Sequence, residues 1–306
     1  MNLETVMRLI RSNVFPNCLL FTLIMIVAPG LMYGQALNMD GQSGVFFQPS
    51  ADVVPAAPKR FNAPTLGVHV VDAGPVAGNY FNAALEEGFG NWLEFGYTRS
   101  NHTDGGDPSL SPLFNFAGMN IFNAKVKLIA AGYRKHKWVP AIAVGGVLRT
   151  NDPFVTQIFA HKNATNGDIY GVATKLFVIG DGKFAFLINA GARGTNADKY
   201  GYGGNTVNWQ ARGFGAISFP VPIAKVLVIS PTFEIDQEPR AIKYIPGPTV
   251  PSDLIYAVRI SRLRNSPWSI DVGTGHVGAN IAPGINVKAN NAVAFGFDYR
   301  FGSRGE

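Results

Sequence analysis

The 306-residue chain holds one cysteine, Cys18. It lies in an apolar N-terminal stretch, so nothing beyond it can form a disulfide, and stability must come from hydrogen bonding and packing. Charge is scarce as well, at 15% of residues, against roughly 25% in soluble domains. Long apolar runs are missing. Past residue 35 none approaches the ~18–20 residues of a spanning helix, which excludes a helix-bundle membrane protein. No run of five or more Lys/Arg occurs either. The formal charge of +6 and pI near 9.4 therefore carry no expectation of a nucleic-acid partner. With 47% hydrophobic and 12% aromatic residues, disorder is excluded too. What the chain has in quantity is glycine (35) and phenylalanine (22), the composition of a large β architecture.

Residues 1–36 read as a secretory signal. Arg8 and Arg11 form its basic start, Cys18–Ala28 its apolar core, and Gly34-Gln35-Ala36 a small-x-small cleavage site near Ala36. Residues 37–65, with Pro49, Pro55, Pro58 and Pro64, read as a lead-in segment, periplasmic or lying in a lumen. Residues 66–301 form the main unit, and 302–306 a tail.

From residue 66 one kind of segment repeats: about ten residues, alternating apolar with polar or small. In 291–301, Val293, Phe295, Phe297, Tyr299 and Phe301 fall on one face, and Ala292, Ala294, Gly296, Asp298 and Arg300 on the other. That period of two belongs to strands. Twelve are predicted: 66–72, 77–86, 90–99, 119–131, 137–149, 168–178, 184–193, 207–219, 225–236, 254–262, 267–276 and 291–301. The second alternates poorly and also fits a short helix. From residue 99 the connections alternate long and short, with 73–76 the exception. The fold class this implies is all-β: a closed up-and-down antiparallel transmembrane barrel of about 12 strands, within a range of 10–14. The short turns are expected to face the periplasm, together with both ends of the barrel. Tyr97, Trp138, Trp209, Trp268 and Phe301 lie near strand ends, where interfacial aromatics belong.

The closing Phe295-Gly-Phe-Asp-Tyr-Arg-Phe301 resembles the last strand of Gram-negative outer-membrane β-barrels of the porin-like kind. Here Gly302-Ser-Arg-Gly-Glu306 follows the final aromatic, a departure from that pattern. The resemblance implies a bacterial outer-membrane location, contact with outer-membrane lipid and insertion by the barrel-assembly machinery. Gly41-Gln-Ser-Gly44 with Gln48-Pro-Ser-Ala51 is similar to the opening segment of barrels linked to exopolysaccharide export.

Catalytic signatures do not assemble. His69, His102, His136, His161 and His276 have neither a serine nor a carboxylate at useful spacing on their own strands. They read as loop or rim histidines, and no catalytic residue, metal ligand or cofactor is expected. The alternation instead turns Glu94, Lys125, Lys127, Lys175, Arg193, Arg212, Glu234, Asp236, Arg259, Asp271, Asp298 and Arg300 into the lumen. On the lipid side such charges would cost about 2–4 kcal/mol each near the midplane. Basic groups outnumber acidic ones in this set. The expected function is porin-like passage of small solutes with weak anion preference. The alternatives are a non-conducting structural or exopolysaccharide-export accessory barrel, and a secreted β-sandwich or lipocalin-like binding protein.

Overall fold

The computed structural model describes residues 36–55, 60–61, 63–109, 111, 118–151, 165–180, 184–201, 205–223, 226–239, 252–262, 266–276, 280–282, 285–286 and 292–301. Residues 1–35, on which the signal reading falls, and the 302–306 tail lie outside them.

Twelve antiparallel strands close a barrel. They are β1 Thr65–Asp72, β2 Asn79–Phe89, β3 Leu93–Thr103, β4 Gly118–Ile129, β5 Ala141–Asn151, β6 Thr165–Ile179, β7 Phe184–Ala197, β8 Asn205–Ser218, β9 Leu227–Gln237, β10 Ser252–Arg262, β11 Trp268–His276 and β12 Ala292–Arg300. Each pairs with its chain neighbour. The ring closes where β1 pairs with β12, from Thr65↔Arg300 to Asp72↔Val293. Closure leaves no sheet edge to be satisfied in hydrocarbon.

Alternation is why these segments become strands of a two-faced wall. Leu66, Val68, Phe81, Leu85, Phe122 and Val258 stand exposed on the outside. The residues between them are buried inside, so β1 reads buried–exposed throughout its eight residues. All twelve expected segments are strands, with ends shifted by a few residues. One shift has a clear cause. The third strand starts at Leu93 rather than residue 90, because Gly90 (φ 60°) and Asn91 (φ 58°) occupy the left-handed region. Trp92 N–H donates to Phe89 O across them at 3.3 Å. Phe89 pairs with Leu93, so three residues make the connection, and the two left-handed ones turn it with the twist of a β-ribbon.

The second strand is a full eleven-residue strand. Its alternation is hidden in the sequence because its inward face is partly apolar. Tyr80 and Ala84 pack inside the barrel against Met39 and Phe46, and against Leu37 and Val54. The apolar core of this protein therefore lies in the lumen, between the wall and residues 36–54. A third cluster joins Ala51 to Met119, Ile121, Val147, Tyr170 and Phe214.

Candidate functional site

The lumen carries the chemistry of the molecule, and residues 36–54 occupy it. Leu37, Asn38, Ser43, Gln48, Ala51 and Val54 are all essentially inaccessible. Their buried peptide groups need partners, and the segment supplies some itself. Asn38 N–H donates to Gln42 O at 2.8 Å, Met39 N–H to Phe46 O at 3.1 Å and Val45 N–H to Gln48 O at 2.9 Å.

The barrel wall supplies the rest, mostly through acidic and basic side chains. Glu234 on β9 accepts three successive amides, from Phe46 (2.5 Å), Phe47 (3.0 Å) and Gln48 (3.2 Å). Glu94 on β3 accepts Ser43 N–H at 3.1 Å, Ser43 Oγ at 2.5 Å and Val54 N–H at 2.7 Å. It also pairs with Lys125 on β4 at 2.8 Å. Lys125 Nζ in turn donates to Ser43 O at 2.7 Å. On β10, Arg259 donates to the carbonyls of Gly44 (2.9 Å) and Val45. Two further bonds, of 2.8 and 2.9 Å, tie it to Asp271 on β11. Asp298 on β12 accepts Leu37 N–H at 3.1 Å and Ser269 Oγ at 3.0 Å. A buried polar side chain is tolerated when it is hydrogen-bonded, and the Glu94–Lys125 and Arg259–Asp271 pairs add opposite charges at contact distance.

Neutral groups complete the ring. Asn82 on β2 donates to Met39 O at 2.9 Å, Asn189 on β7 to Pro49 O at 3.0 Å, and Thr174 on β6 accepts Ala51 N–H at 2.7 Å. Tyr170 donates to Gln42 Oε1. Glycines allow close approach where wall and segment touch. A Cβ on Gly88 would sit 2.4 Å from Val54 O, and one on Gly273 would sit 2.6 Å from Phe46 Cε1.

Toward the long-loop end the wall carries a second cluster. Arg149 on β5 bridges Asp40 (2.5 Å) and Asp168 on β6 (2.8 Å). Arg193 on β7 reaches Asp236 on β9 at 2.8 Å and Glu238 at 3.4 Å, with its guanidinium 5.7 Å from the Tyr200 ring. Arg212 Nε donates to Glu238 O at 3.1 Å. At the short-turn end Lys127 lies 3.8 Å from Asp52, and Arg300 is buried.

Eleven of the twelve charged residues expected in the lumen thus stand on its parity. Lys175 is the correction. In β6 the even residues Asn166, Asp168, Tyr170, Val172 and Thr174 are all buried, so the odd side chains turn outward. Lys175 Nζ curls to the carbonyls of Lys137 and Val139 (3.3 Å) in the neighbouring turn. Near the strand end, the long stem of Lys175 reaches the rim from the outer face, so its charge does not report the parity of the strand. Four further charged residues face inward beyond the expected set. Arg149 and Asp168 lay at the limits of the expected strands, Asp253 in an expected loop, and Glu86 in the strand of poor alternation. With them included, the described strands turn seven basic side chains inward (Lys125, Lys127, Arg149, Arg193, Arg212, Arg259, Arg300). They turn eight acidic ones inward (Glu86, Glu94, Asp168, Glu234, Asp236, Asp253, Asp271, Asp298). The excess of basic groups expected from sequence is absent.

Two histidines also differ from the rim reading. His69 on β1 is fully buried, its Nε2 3.5 Å from Asp298 Oδ1 on the adjoining strand. His102 is buried as well, with Nε2 2.7 Å from Ala77 O. The expected interfacial aromatics Tyr97, Trp138, Trp209 and Phe301 are exposed, and Trp268 is half-buried. Among the described residues, no three His, Cys, Asp or Glu side chains are grouped as a metal site.

Solved structures similar to this chain include the KdgM porin, at 10% identity and TM-score 0.45, covering 78% of this chain and 99% of that one. The NanC porin is similar at 7% identity and TM-score 0.45, covering 78% and 100%. A KdgM porin in complex with disordered oligogalacturonate is similar at 11% identity and TM-score 0.43, covering 78% and 99%. No curated protein matches the chain. A family model described as "Protein of unknown function (DUF3034)" matches residues 76–236, more than half of the sequence, and the chain belongs to that family.

Proposed function

We propose that this protein is a porin-like barrel of the bacterial outer membrane, passing small solutes, and that residues 36–54 hold it closed at rest. The observation that carries the reading is the chemistry of the inner wall. A lumen meant only to be filled is most stable with apolar side chains meeting across it, since a buried ion pair rarely outperforms a packed hydrophobic one. This wall instead presents Glu94, Lys125, Glu234, Arg259 and Asp271, which water can solvate when the segment leaves. The outward band of Leu, Val and Phe suits outer-membrane lipid, and a closing strand rich in aromatics suits the barrel-assembly machinery. Signal cleavage near Ala36 and short turns in the periplasm complete this reading. It is a channel rather than an enzyme: its lumen carboxylates and cations engage backbone and one another, not a nucleophile. With seven basic and eight acidic groups inward, the ground for an anion preference is lost, and the open pore is near-neutral in selectivity.

The test is planar-bilayer conductance of refolded full-length protein beside a variant lacking residues 37–54. The full chain should be closed or open only rarely, and the deletion should conduct with a reversal potential near zero in a salt gradient. A folded, heat-modifiable deletion variant with no channel would replace this reading with the structural or export-accessory barrel, which the filled lumen by itself also fits.

A further inference from the structure

We propose that the turn between β4 and β5 is a docking surface for anionic phospholipid headgroups of the leaflet that the short-turn rim meets. The inference rests on the reading of the barrel as membrane-spanning. Residues Tyr133-Arg-Lys-His-Lys-Trp138 are all exposed, and Trp138, 75% accessible, is the most exposed large hydrophobic residue among those described. Three basic side chains, Arg134, Lys135 and Lys137, thus project from one short turn between two aromatic rings, with no acidic residue in 130–140.

The turn is held in that display. Arg134 (φ 52°) and Lys135 (φ 66°) both take left-handed backbone that L residues rarely adopt. His136 N–H closes the loop on Tyr133 O at 3.1 Å. Lys175, from the outer face of β6, clamps the far side through the Lys137 and Val139 carbonyls. The Arg134 guanidinium lies 5.3 Å from the Tyr133 ring centre. Exposed Arg60 and Arg262 carry the positive charge further round the same rim.

Tryptophan and tyrosine seat at the headgroup level, where their rings are apolar and their N–H and O–H stay wet. Basic side chains beside them meet the phosphate diester and are drawn to lipids of net negative charge. A zwitterionic headgroup offers the same phosphate but cancels it with its own ammonium. The site should therefore discriminate by net charge.

The experiment uses full-length protein carrying W92F, W209F and W268F, so that Trp138 alone fluoresces, refolded into phosphatidylcholine vesicles. Brominated phosphatidylglycerol or brominated phosphatidylcholine is added in trace as quencher. Quenching should show about fivefold or greater preference for phosphatidylglycerol, the scale expected from a few basic groups near a charged surface. The preference should collapse in R134Q/K135Q/K137Q. In the unmutated turn it should also shrink at ~0.5 M salt, where screening shortens to a few ångströms, so the proposal remains testable if the triple variant misfolds. Equal quenching by both lipids, or a preference indifferent to salt, overturns it while leaving the barrel inserted. Trp138 emission that stays at the wavelength it has in water after refolding into vesicles means the ring never reaches a bilayer, which overturns the membrane reading with it.

Discussion

Glu234 illustrates how much of the closed state rests on single side chains. Its two oxygens accept three consecutive amides of the lumen segment, the work otherwise done by a strand partner. Glu234→Gln keeps the shape but replaces one acceptor oxygen with an NH₂ that opposes those amides. We expect the segment to loosen by about 1–3 kcal/mol, the cost of leaving buried donors unsatisfied. Faster hydrogen exchange at the amides of Phe46, Phe47 and Gln48 would report it, and unchanged protection would mean that another group holds them. Gly88→Ala probes the same segment by shape. Its new Cβ would fall 2.4 Å from Val54 O, a backbone atom that cannot swing aside. Exchange should rise at Val54 and conductance should become measurable, whereas a silent substitution would show that the contact yields freely. Most of the wall partners were legible as inward-facing charges from alternation alone. Their ligand was not, because residues 36–54 have no period to read and bond to groups as far as 261 positions away.

At the scale of the strand, parity decides what a substitution costs. Val258 stands outward in the middle of β10, between inward Ala257 and Arg259. Val258→Arg should cost about 2–4 kcal/mol in a refolding titration in lipid, because a guanidinium there meets hydrocarbon. A loss below about 1 kcal/mol would place that position at the edge of the apolar band or outside it. The strands whose faces differ sharply, such as β12 with phenylalanines outward and Asp298 and Arg300 inward, could be read directly. The strand at 79–89 alternates less cleanly: its inner face mixes Tyr80 and Ala84, packed against lumen residues, with Asn82 and Glu86, and the charged Glu87 falls on the other parity. Lys175 departs from its expected face for a different reason. A four-carbon stem near a strand end can reach the rim from either face, and its charge does not report parity.

For the whole molecule, the alternation of long and short connections is the feature most exposed to test. Residues 104–109 and the 130–140 turn lie at opposite ends of the barrel. An epitope at Gly106, where a side chain would meet open space, should bind antibody on intact cells. An epitope in the 130–140 turn should bind only after the outer membrane is permeabilised. The reverse result would invert the assigned orientation. The pairing order of all twelve strands follows from sequence because each bonds to its chain neighbours; for residues 37–65 the sequence leaves a periplasmic and a lumen-lying path equally open, because filled and empty barrels share the same outer pattern.

One geometric detail of the lumen segment bears on how the protein is made. Leu37 lies beside Gly67 and Asp298, and Val54 beside Gly88 and Glu94; these four wall residues are all at the short-turn end. Between them the chain climbs to Arg149 and Tyr200, near the opposite end. It is a bight, going in and coming out by one mouth. A bight can be laid into a finished cylinder, or drawn out of it, without threading a free terminus through. The ring of strands can therefore zip shut first, with its stopper still outside, and corking the barrel becomes a separate act that can be undone and repeated for the life of the protein.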